Sequence, residues 1–551
     1  MDFLKKYEFW KKHATEPSVV ASLQQMEGDI ETIENAFLGE LKFGTAGLRG
    51  IMTAGTDRMN VYTVFRATEG LARYMVAHSM NSCAITYDSR INSQLFSETA
   101  ATTLAWHGIK VYITKECMPT PFLSFMVRDL HCDIGINITA SHNPSEYNGY
   151  KVYDNLGCQL VDEACMEVVG FISKVDPFER ELGNFEDYLG KTIFYVDDEV
   201  ESRYKDAVIE QSLDTIDGIK VVYTPLNGAG WRVVPEVLKR VGLKDMVIVE
   251  EQSTPNGNFP TCSYPNPEKK EALALAIALL QQTNANIVIA NDPDCDRLGI
   301  AVNTNGSVRQ LSGNEVGVLL CDYILTRMQQ QNKLPQNPVV VKTIVTSIMT
   351  DAIAHKFGAQ VRDVLTGFKY IGNVIGELER DGHPERYVFG FEESCGYLKG
   401  SYVRDKDGVV ASMLTAQMAS YYHKQGKTLV DRLDELYAEH GTYFQDIVSY
   451  RFEGVSGAEK KNQLLANLRN NAPTHLGDSP VVATCDFLTQ TQFDLPKADV
   501  LKYNSANGSQ LIVRPSGTEP LIKCYITVQG DAQSNATRFA QIKSLTDKLF
   551  E

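Results

Sequence analysis

Short apolar runs alternate along this chain with longer amphipathic stretches. Residues 84–87, 110–113 and 133–138 have the apolar, strand-favouring character of buried strands, and residues 94–107 favour a helix between the first two. The pattern continues, with strands expected at 219–224, 286–290, 299–302, 339–342 and 387–389 and helices at 268–283 and 409–423. Strands that alternate with helices favour an α/β fold with layered, mainly parallel sheets.

The run at 133–138 is followed by a polar segment that contains a serine. Asn143-Pro144 and Asn148-Gly149 are turn signals, so Ser141 is expected just beyond the carboxyl end of a strand. Open α/β sheets bind their ligands at that end. The Ser141 hydroxyl can act as a nucleophile or carry a phosphoryl group, and His142 or Lys151 can move a proton. A serine that is only solvated or caps a turn is the simpler alternative.

Three carboxylates follow the expected strand at 286–290. Asp292, Asp294 and Asp296 lie within five residues, and two such charges about 4 Å apart repel by roughly 4 kcal/mol at an effective dielectric of 20. Hard oxygen ligands suit Mg²⁺ or Ca²⁺. A calcium-binding EF-hand would need glycine and glutamate where this chain has Arg297 and Asn303. The segment therefore predicts a metal site rather than a solvated acidic turn.

Three further polar segments could bind an anion or a sugar. Arg514, Ser516, Gly517 and Thr518 combine a guanidinium fork, two hydroxyls and a glycine amide, which suit a phosphate. Glycines at 44, 47 and 50 surround a hydroxyl and an arginine that can approach an anion closely; these are Thr45 and Arg49. Glu392 offers hydrogen-bond acceptors and Ser394 a donor, at a spacing that suits the hydroxyl groups of a sugar. Each segment alone could also be an ordinary turn or a surface patch.

Four of these segments, taken together and in this order, resemble the α-D-phosphohexomutase family. They are the segments around Ser141, the three aspartates, Glu392 and Arg514. The resemblance extends from Gly44 to about Thr527, and the Glu-Glu-Ser sequence resembles the glucose-preferring branch. It implies four domains around a central cleft, three related mixed α/β sheet domains plus a smaller α+β C-terminal domain. The expected boundaries are a helical lead-in at 1–40 and domains at 41–200, 201–310, 311–427 and 428–551. The acidic, irregular stretch 176–202 is the expected first linker.

The resemblance also implies a role for each segment. Ser141 would carry a phosphoryl group, with Mg²⁺ held by Ser141 and the three aspartates. Arg49 and Arg297 would stabilise the transferring charge, and Lys151, or in second place His142, would take the hydroxyl proton. Sugar and phosphate contacts are implied for Thr45, Thr366, Gly367, Glu392, Ser394, Lys406, Arg514, Ser516, Gly517 and Thr518. The implied reaction interconverts glucose 1-phosphate and glucose 6-phosphate, with glucose 1,6-bisphosphate as intermediate and activator.

Composition limits the other functions that this chain could have. A net charge of −16 argues against nucleic acid and anionic membranes as partners. The odd count of 11 cysteines, without a C-x-x-C pair, favours reduced thiols. The longest apolar run, 272–280, is too short to span a bilayer, and the N-terminal residues have no signal-peptide pattern. We therefore expect a cytoplasmic protein, monomer or homodimer, that binds small sugar phosphates.

Three alternatives remain at this point. The same chemistry could act on mannose phosphate or on a pentose phosphate. The chain could instead be a non-catalytic, Mg²⁺-dependent sugar-phosphate sensor, although the intact serine, aspartates and Arg297 count against that. A hydrolase is the third alternative, because a phosphoserine can lose its phosphoryl group to water.

Overall fold

The computed structural model describes residues 2–44, 47–160, 162–304, 306–452, 454–490, 495–516 and 521–550. Its helices in these ranges are α1 (Asp2–His13), α2 (Pro17–Gln25), α3 (Ile30–Phe37), α4 (Val61–Ala77), α5 (Ser93–Trp106), α6 (Thr120–Asp129), α7 (Asp162–Ile172), α8 (Asp198–Glu210), α9 (Gly230–Arg240), α10 (Lys270–Thr283), α11 (Gly313–Gln330), α12 (Met349–Lys356), α13 (Phe368–Arg380), α14 (Gly408–His423), α15 (Leu429–His440), α16 (Gly454–Asn470) and α17 (Ala532–Phe550).

The strands in the same ranges are β1 (Leu48–Ile51), β2 (Ser82–Tyr87), β3 (Lys110–Ile113), β4 (Ile134–Ile138), β5 (Tyr147–Asp154), β6 (Ile193–Tyr195), β7 (Lys220–Thr224), β8 (Asp245–Ile248), β9 (Ile287–Asn291), β10 (Leu298–Thr304), β11 (Ser307–Leu311), β12 (Val339–Thr343), β13 (Gln360–Val364), β14 (Tyr387–Glu392), β15 (Gly396–Leu398), β16 (Tyr443–Arg451), β17 (His475–Leu476), β18 (Ser479–Asp486), β19 (Leu501–Ser505), β20 (Gln510–Pro515) and β21 (Leu521–Gln529).

In the described ranges these strands form four sheets, one for each domain. Their orders are β1-β5-β4-β2-β3-β6, β11-β10-β9-β7-β8, β13-β12-β14-β15 and β16-β21-β20-β19-β18-β17. The first three sheets mix parallel and antiparallel pairs, whereas the pairs of the fourth are antiparallel. A four-domain α/β architecture is therefore confirmed.

The first three sheets share one local plan. The buried strand β4 pairs in parallel with β2 and then antiparallel with β5, the next strand in sequence. In the second sheet, the buried strand β9 pairs in parallel with β7 and antiparallel with β10. In the third sheet, the buried strand β14 pairs in parallel with β12 and antiparallel with β15. In each of these three sheets, a predicted functional segment forms the turn between the buried strand and the antiparallel strand that follows it. We call these turns the serine loop (139–146), the aspartate loop (292–297) and the glutamate loop (392–395).

Each of the three turns contains a non-glycine residue with left-handed backbone. The φ angles are 53° at Ser141, 51° at Cys295 and 63° at Cys395. Such conformations are uncommon for residues with a side chain and cost of order 1–3 kcal/mol each. They persist only where the surrounding contacts determine the backbone, so these turns are held in place from outside.

Most of the strands and helices expected from sequence are found, with ends that differ by a few residues. The mixed sheets implied by the resemblance are found, because the strand that follows each of the three turns is antiparallel to the one before it. One expectation was wrong in part. The stretch 176–202 is not irregular throughout, since it contains β6, which extends the first sheet beside β3, and the start of α8. The residues of β6 are apolar in sequence, but acidic residues on both sides of them favoured a linker.

The first three helices belong to the core of the first domain. Trp10 of α1 contacts Phe37 of α3 and Tyr62 of α4 edge to face, with ring centroids 5.6 Å apart in both pairs. Trp10 and Phe37 are buried in the same cluster as the first sheet. In the described part of the chain, no helix has the length and apolar character needed to cross a membrane.

Candidate active site

The serine loop and the aspartate loop contact each other directly. Ser141 is buried, and its amide donates to Thr139 Oγ1 at 2.8 Å. The Ser141 hydroxyl donates to Asp292 Oδ2 at 3.0 Å and lies 3.1 Å from His142 Nδ1. The two loops belong to different domains, so the packing of the first domain against the second creates this contact.

The three aspartates form a compact, buried group of oxygens. Asp292, Asp294 and Asp296 are at most 1% exposed, and one carboxylate oxygen from each lies within 4.8 Å of the others. Asp294 Oδ1 and Asp296 Oδ1 accept no hydrogen bond from the described residues, and Asp296 Oδ2 has the Lys406 ammonium 2.8 Å away. Buried oxygens with so few donors suit a hard dication such as Mg²⁺, so the residues present fit that ion.

Cations from three domains surround the aspartates. Lys151 Nζ of β5 lies 3.2 Å from Asp294 Oδ2, and Lys406 Nζ, which precedes α14, lies 2.8 Å from Asp296 Oδ2. Arg297 Nε lies 3.9 Å from Asp292 Oδ2 and 3.8 Å from Asp296 Oδ1. These cations offset part of the negative charge that burial would otherwise make very costly.

The charges within the aspartate group shift one another's pKa. Burial raises the pKa of Asp292, and the charges of Asp294 and Asp296 raise it further. Burial opposes ionisation of Asp294 as well, but Lys151 and Lys406 outweigh it and hold the pKa of Asp294 below its usual range. Ionisation is therefore opposed most strongly at Asp292, the aspartate beside the Ser141 hydroxyl.

Arginines approach the serine loop from the other side. Arg49 of β1 donates from Nη1 to Asn143 Oδ1 at 3.2 Å. Burial, followed by the charges of Arg297 and Arg90, lowers the pKa of Arg49. Burial and the charges of Arg297 and Arg49 also hold the pKa of His142 well below its usual range, so His142 is neutral. Arginines this close together make the serine loop a site for an anion.

The predicted sugar contacts come together around Glu392. The Gly367 amide donates to Glu392 Oε1 at 2.8 Å, which joins the segment before α13 to the glutamate loop. The Thr366 hydroxyl is buried and has no partner among the described residues. Burial raises the pKa of Glu392 against the opposing charge of Lys406. Ser394 is half-buried in the same turn, so donors and acceptors for hydroxyl groups lie beside the aspartate group.

The predicted phosphate-binding segment is described in part. Arg514 lies at the end of β20, and the Ser516 amide donates to Leu521 O at 2.9 Å. Gly517 and Thr518, like Thr45 of the first domain, lie outside the described residues. The charge of Arg514 acts on Glu393 and on Tyr525 of β21. Arg514 therefore faces the glutamate loop of the third domain.

Models of the phosphoglucomutase/phosphomannomutase family match the chain in four parts. The α/β/α domains I, II and III match residues 40–177, 202–306 and 312–440, and the C-terminal domain matches residues 450–544. The chain belongs to this family, the α-D-phosphohexomutases. The resemblance found in the sequence is thereby confirmed.

Named relatives agree with this assignment. The chain is 36% identical over 536 residues to a phosphoglucomutase of Staphylococcus haemolyticus, covering 95% of this chain and 96% of the relative. It is 36% identical over 539 residues to a phosphoglucomutase of Staphylococcus aureus, covering 95% of both. This phosphohexomutase is thus an isomerase-type phosphotransferase, for which sugar phosphates are the expected substrates.

Solved structures show the same fold. The phosphoglucomutase pp63/parafusin from Paramecium, in an open form, superposes with a TM-score of 0.69 at 17% identity, covering 93% of this chain and 94% of that one. A phosphoglucomutase/phosphomannomutase family protein from Burkholderia thailandensis also gives 0.69 at 18% identity, covering 92% and 97%. At these identities the likeness shows the fold alone.

Two groups of contacts in the phosphohexomutase were missed from sequence. Arg90 contacts the backbone of the serine loop, and Tyr153 OH donates to Asp405 Oδ2 at 2.6 Å. Asp405 Oδ1 in turn lies 3.3 Å from Lys406 Nζ, so Tyr153 supports the lysine that contacts Asp296. A signal for Arg90 was available, because it follows the expected strand 84–87 in the same way that Ser141 follows its own strand.

We expect Mg²⁺ to raise the melting temperature of this phosphohexomutase after chelation. Binding at one hundred times Kd stabilises a folded protein by about 2.7 kcal/mol. Asp292→Asn should raise the melting temperature of the metal-free protein, because it removes a charge whose ionisation is opposed by burial and by two neighbours. The same variant should lose most of the gain with Mg²⁺. Differential scanning calorimetry with and without Mg²⁺ measures both effects.

Asp381→Asn, at an exposed position after α13, is the matched control and should respond to Mg²⁺ as the wild type does. An Asp292→Asn protein that gains as much stability from Mg²⁺ as the wild type would contradict the metal site.

Glu393 should make stability depend on pH near neutrality. Burial and the adjacent charge of Glu392 raise the pKa of Glu393 from 4.5 to about 7. The stability that this raised pKa contributes is fully present below pH 4.5 and is lost as pH rises through 7. Glu393→Gln, which imitates the protonated form, should therefore be more stable than the wild type at pH 8 by about 1–3 kcal/mol.

Urea unfolding of the two proteins at pH 5, 6, 7 and 8 measures this difference, which should shrink towards zero at pH 5. Glu181→Gln, at an exposed position, controls for the loss of one carboxylate. A difference that is the same at every pH would show that Glu393 keeps an ordinary pKa.

Proposed function

We propose that this phosphohexomutase interconverts α-D-glucose 1-phosphate and glucose 6-phosphate through a phosphoserine at Ser141. The observation that carries the proposal is the contact of the buried Ser141 hydroxyl with Asp292, 3.0 Å away in a group of three buried carboxylates. Arg49, Arg297 and Lys151 supply positive charge around it. The preference for glucose is supported by the phosphoglucomutase relatives and by the Glu-Glu-Ser sequence of the glutamate loop.

Each half of the reaction exchanges one bond for another. The bond between phosphorus and Ser141 Oγ breaks while a bond forms from phosphorus to the free hydroxyl oxygen of the sugar monophosphate. The hydroxyl proton passes to Lys151 in its neutral amine form or, as the alternative, to neutral His142, and the leaving Ser141 oxygen takes up a proton in exchange. Phosphoryl transfer depends mainly on positioning and charge stabilisation, which Arg49 and Arg297 provide. Mg²⁺, when bound by Ser141, Asp292, Asp294 and Asp296, would supply further positive charge at the transferring group.

The resulting glucose 1,6-bisphosphate then turns end for end and returns its other phosphoryl group to Ser141. This step requires a second phosphate site, for which we propose Arg514, Ser516, Gly517 and Thr518. Lys406 is proposed as a contact of the substrate phosphate that lies beside the aspartate group. The step also requires contacts that accept the sugar in both orientations. Thr366, Gly367, Glu392 and Ser394 are proposed for these contacts because the Gly367 amide and the Glu392 carboxylate already lie together. Thr45, next to Gly44 in the glycine-rich segment, is proposed as a further substrate contact.

Ser141→Ala should lower turnover of glucose 1-phosphate by at least about 10³-fold, since the loss of a covalent nucleophile removes its whole catalytic route. Intact-mass analysis should find one phosphoryl group on the wild type and none on the variant. Ser145→Ala, in the same loop, is the control and should keep both activity and phosphorylation.

Assays of the wild type against glucose 1-phosphate, mannose 1-phosphate and ribose 1-phosphate test the sugar preference. We expect the kcat/KM for glucose 1-phosphate to be the highest of the three. A higher value for either other sugar would replace the glucose assignment and leave the phosphoserine route in place, whereas turnover by Ser141→Ala would overturn that route.

Arg514→Ala and Arg297→Ala should affect different kinetic constants. Hydrogen bonds to charged groups contribute about 1.5–3 kcal/mol, so loss of Arg514 from the second phosphate site should raise KM about tenfold to hundredfold. Arg297 lies beside the aspartate group, so its loss should lower kcat more than it raises KM. Steady-state kinetics, with the phosphoserine content of each variant measured, separate the two roles. Unchanged kinetics for Arg514→Ala would show that there is no second phosphate site at this segment.

A further inference from the structure

The Arg90 side chain is buried and binds the backbone of the serine loop. Its Nη2 donates to Ser141 O at 2.5 Å and also to Asn143 O, and its Nη1 donates to Pro144 O at 2.8 Å and Tyr147 O at 3.0 Å. Arginine has five donors in a rigid planar fork. One guanidinium therefore fixes carbonyl groups at both ends of the loop that contains Ser141.

Asp88 connects Arg90 to the opposite side of Ser141. Arg90 Nε lies 3.2 Å from Asp88 Oδ2, which also accepts a hydrogen bond from Thr139 Oγ1 at 2.6 Å. Thr139 Oγ1 in turn accepts from the Ser141 amide at 2.8 Å. The amide and the carbonyl of Ser141 are thus both linked to Asp88 and Arg90, which explains how Ser141 keeps its left-handed φ of 53°.

The second domain covers Arg90. The Phe259 ring centroid lies 5.1 Å from the guanidinium carbon, within the range of a cation–π contact. Nearby, a Cβ on Gly257 would lie 2.3 Å from the Ile91 amide nitrogen, so the backbones of the two domains meet without space for a side chain. The second domain therefore contacts the serine loop twice, at its hydroxyl through Asp292 and at its backbone through Phe259 and Arg90.

We infer that Arg90 is a positioning residue for phosphoryl transfer and that Phe259 holds it in place from the second domain. The pair fixes the backbone of Ser141 so that its oxygen stays aligned with Asp292, and it makes that alignment depend on how the two domains pack. The inference rests on the proposed function, because it assigns a consequence for transfer from Ser141. Arg90 bonds only to protein backbone and to Asp88 among the described residues, so its effect should appear in kcat rather than in KM.

Arg90→Lys keeps the charge and removes the fork. A displacement of about 1 Å at the reacting atom costs about a hundredfold in rate, so kcat should fall about a hundredfold while KM stays within twofold. Single-turnover transfer from the phosphorylated variant should slow equally. For Arg90→Ala, added guanidinium ion at low millimolar concentration should restore part of the rate, and an equal concentration of urea should not.

Phe259→Leu is the second variant and changes no hydrogen bond of the serine loop. Cation–π contacts contribute about 0.5–2 kcal/mol, so kcat should fall about twofold to thirtyfold. The fall should be smaller in the Arg90→Lys background than in the wild type. Arg73→Lys, at a partly exposed arginine of α4 that pairs with Glu69, is the control and should keep the wild-type kcat.

Two results would overturn the inference. One is a wild-type kcat in folded Arg90→Lys or, if that protein does not fold, in Phe259→Leu. The other is a rise in KM without a fall in kcat, which would place Arg90 in substrate binding. Failure of the proposed function is distinguishable, because it would appear in the wild type as the absence of phosphoserine or as activity in Ser141→Ala.

Discussion

The burial of three carboxylates in one turn is the constraint on which the rest of the site depends. Moving a carboxylate out of water costs several kcal/mol even after the protein relaxes. Lys151 of the first domain, Arg297 of the second and Lys406 before α14 approach the aspartates to 3.2, 3.8 and 2.8 Å. Because these cations belong to different domains, the aspartate group is neutralised only when the domains are packed together. The interaction that prepares the site therefore also holds the first three domains in place.

Each of the three turns packs closely against a glycine that belongs to another segment. A Cβ on Gly149 would lie 2.4 Å from Thr139 O, one on Gly408 would lie 2.6 Å from Cys295 O, and one on Gly313 would lie 2.0 Å from Glu393 O. Real Cβ contacts are essentially never under 3.0 Å. Close backbone packing thus supports left-handed turns that would otherwise be strained, and this explains how one strand-and-turn plan serves three different sets of side chains.

The sequence was sufficient for the parts of the site that local patterns determine. An apolar run followed by a polar turn predicted that Ser141 and the three aspartates lie at the ends of strands, and they do, since each strand and its polar residues are within a few positions of each other. It was insufficient for Arg90, whose carbonyl partners lie 51 to 57 residues away, and for Tyr153, whose partner Asp405 lies 252 residues away. The position of Arg90 after the strand 84–87 indicates a loop at the same edge of the sheet, but it does not show which carbonyls the side chain contacts, and nothing near Tyr153 points to Asp405. The strand β6 was missed for another reason, because it is only three residues long and acidic residues on both sides of it favoured a linker.

The fourth domain meets the third through a different kind of contact. An apolar cluster joins Ile344 and Leu365 of the third domain to Ile512 and Tyr525 of the fourth, and Asn314 Nδ2 donates to Gln445 Oε1 at 2.6 Å. These contacts carry no part of the aspartate group's charge balance. The charge balance of the aspartate group therefore depends on the first three domains and not on the contacts of the fourth. The proposed reaction needs a second phosphate contact that is separate from the charged centre, and the attachment of Arg514 through these apolar and amide contacts supports that proposal.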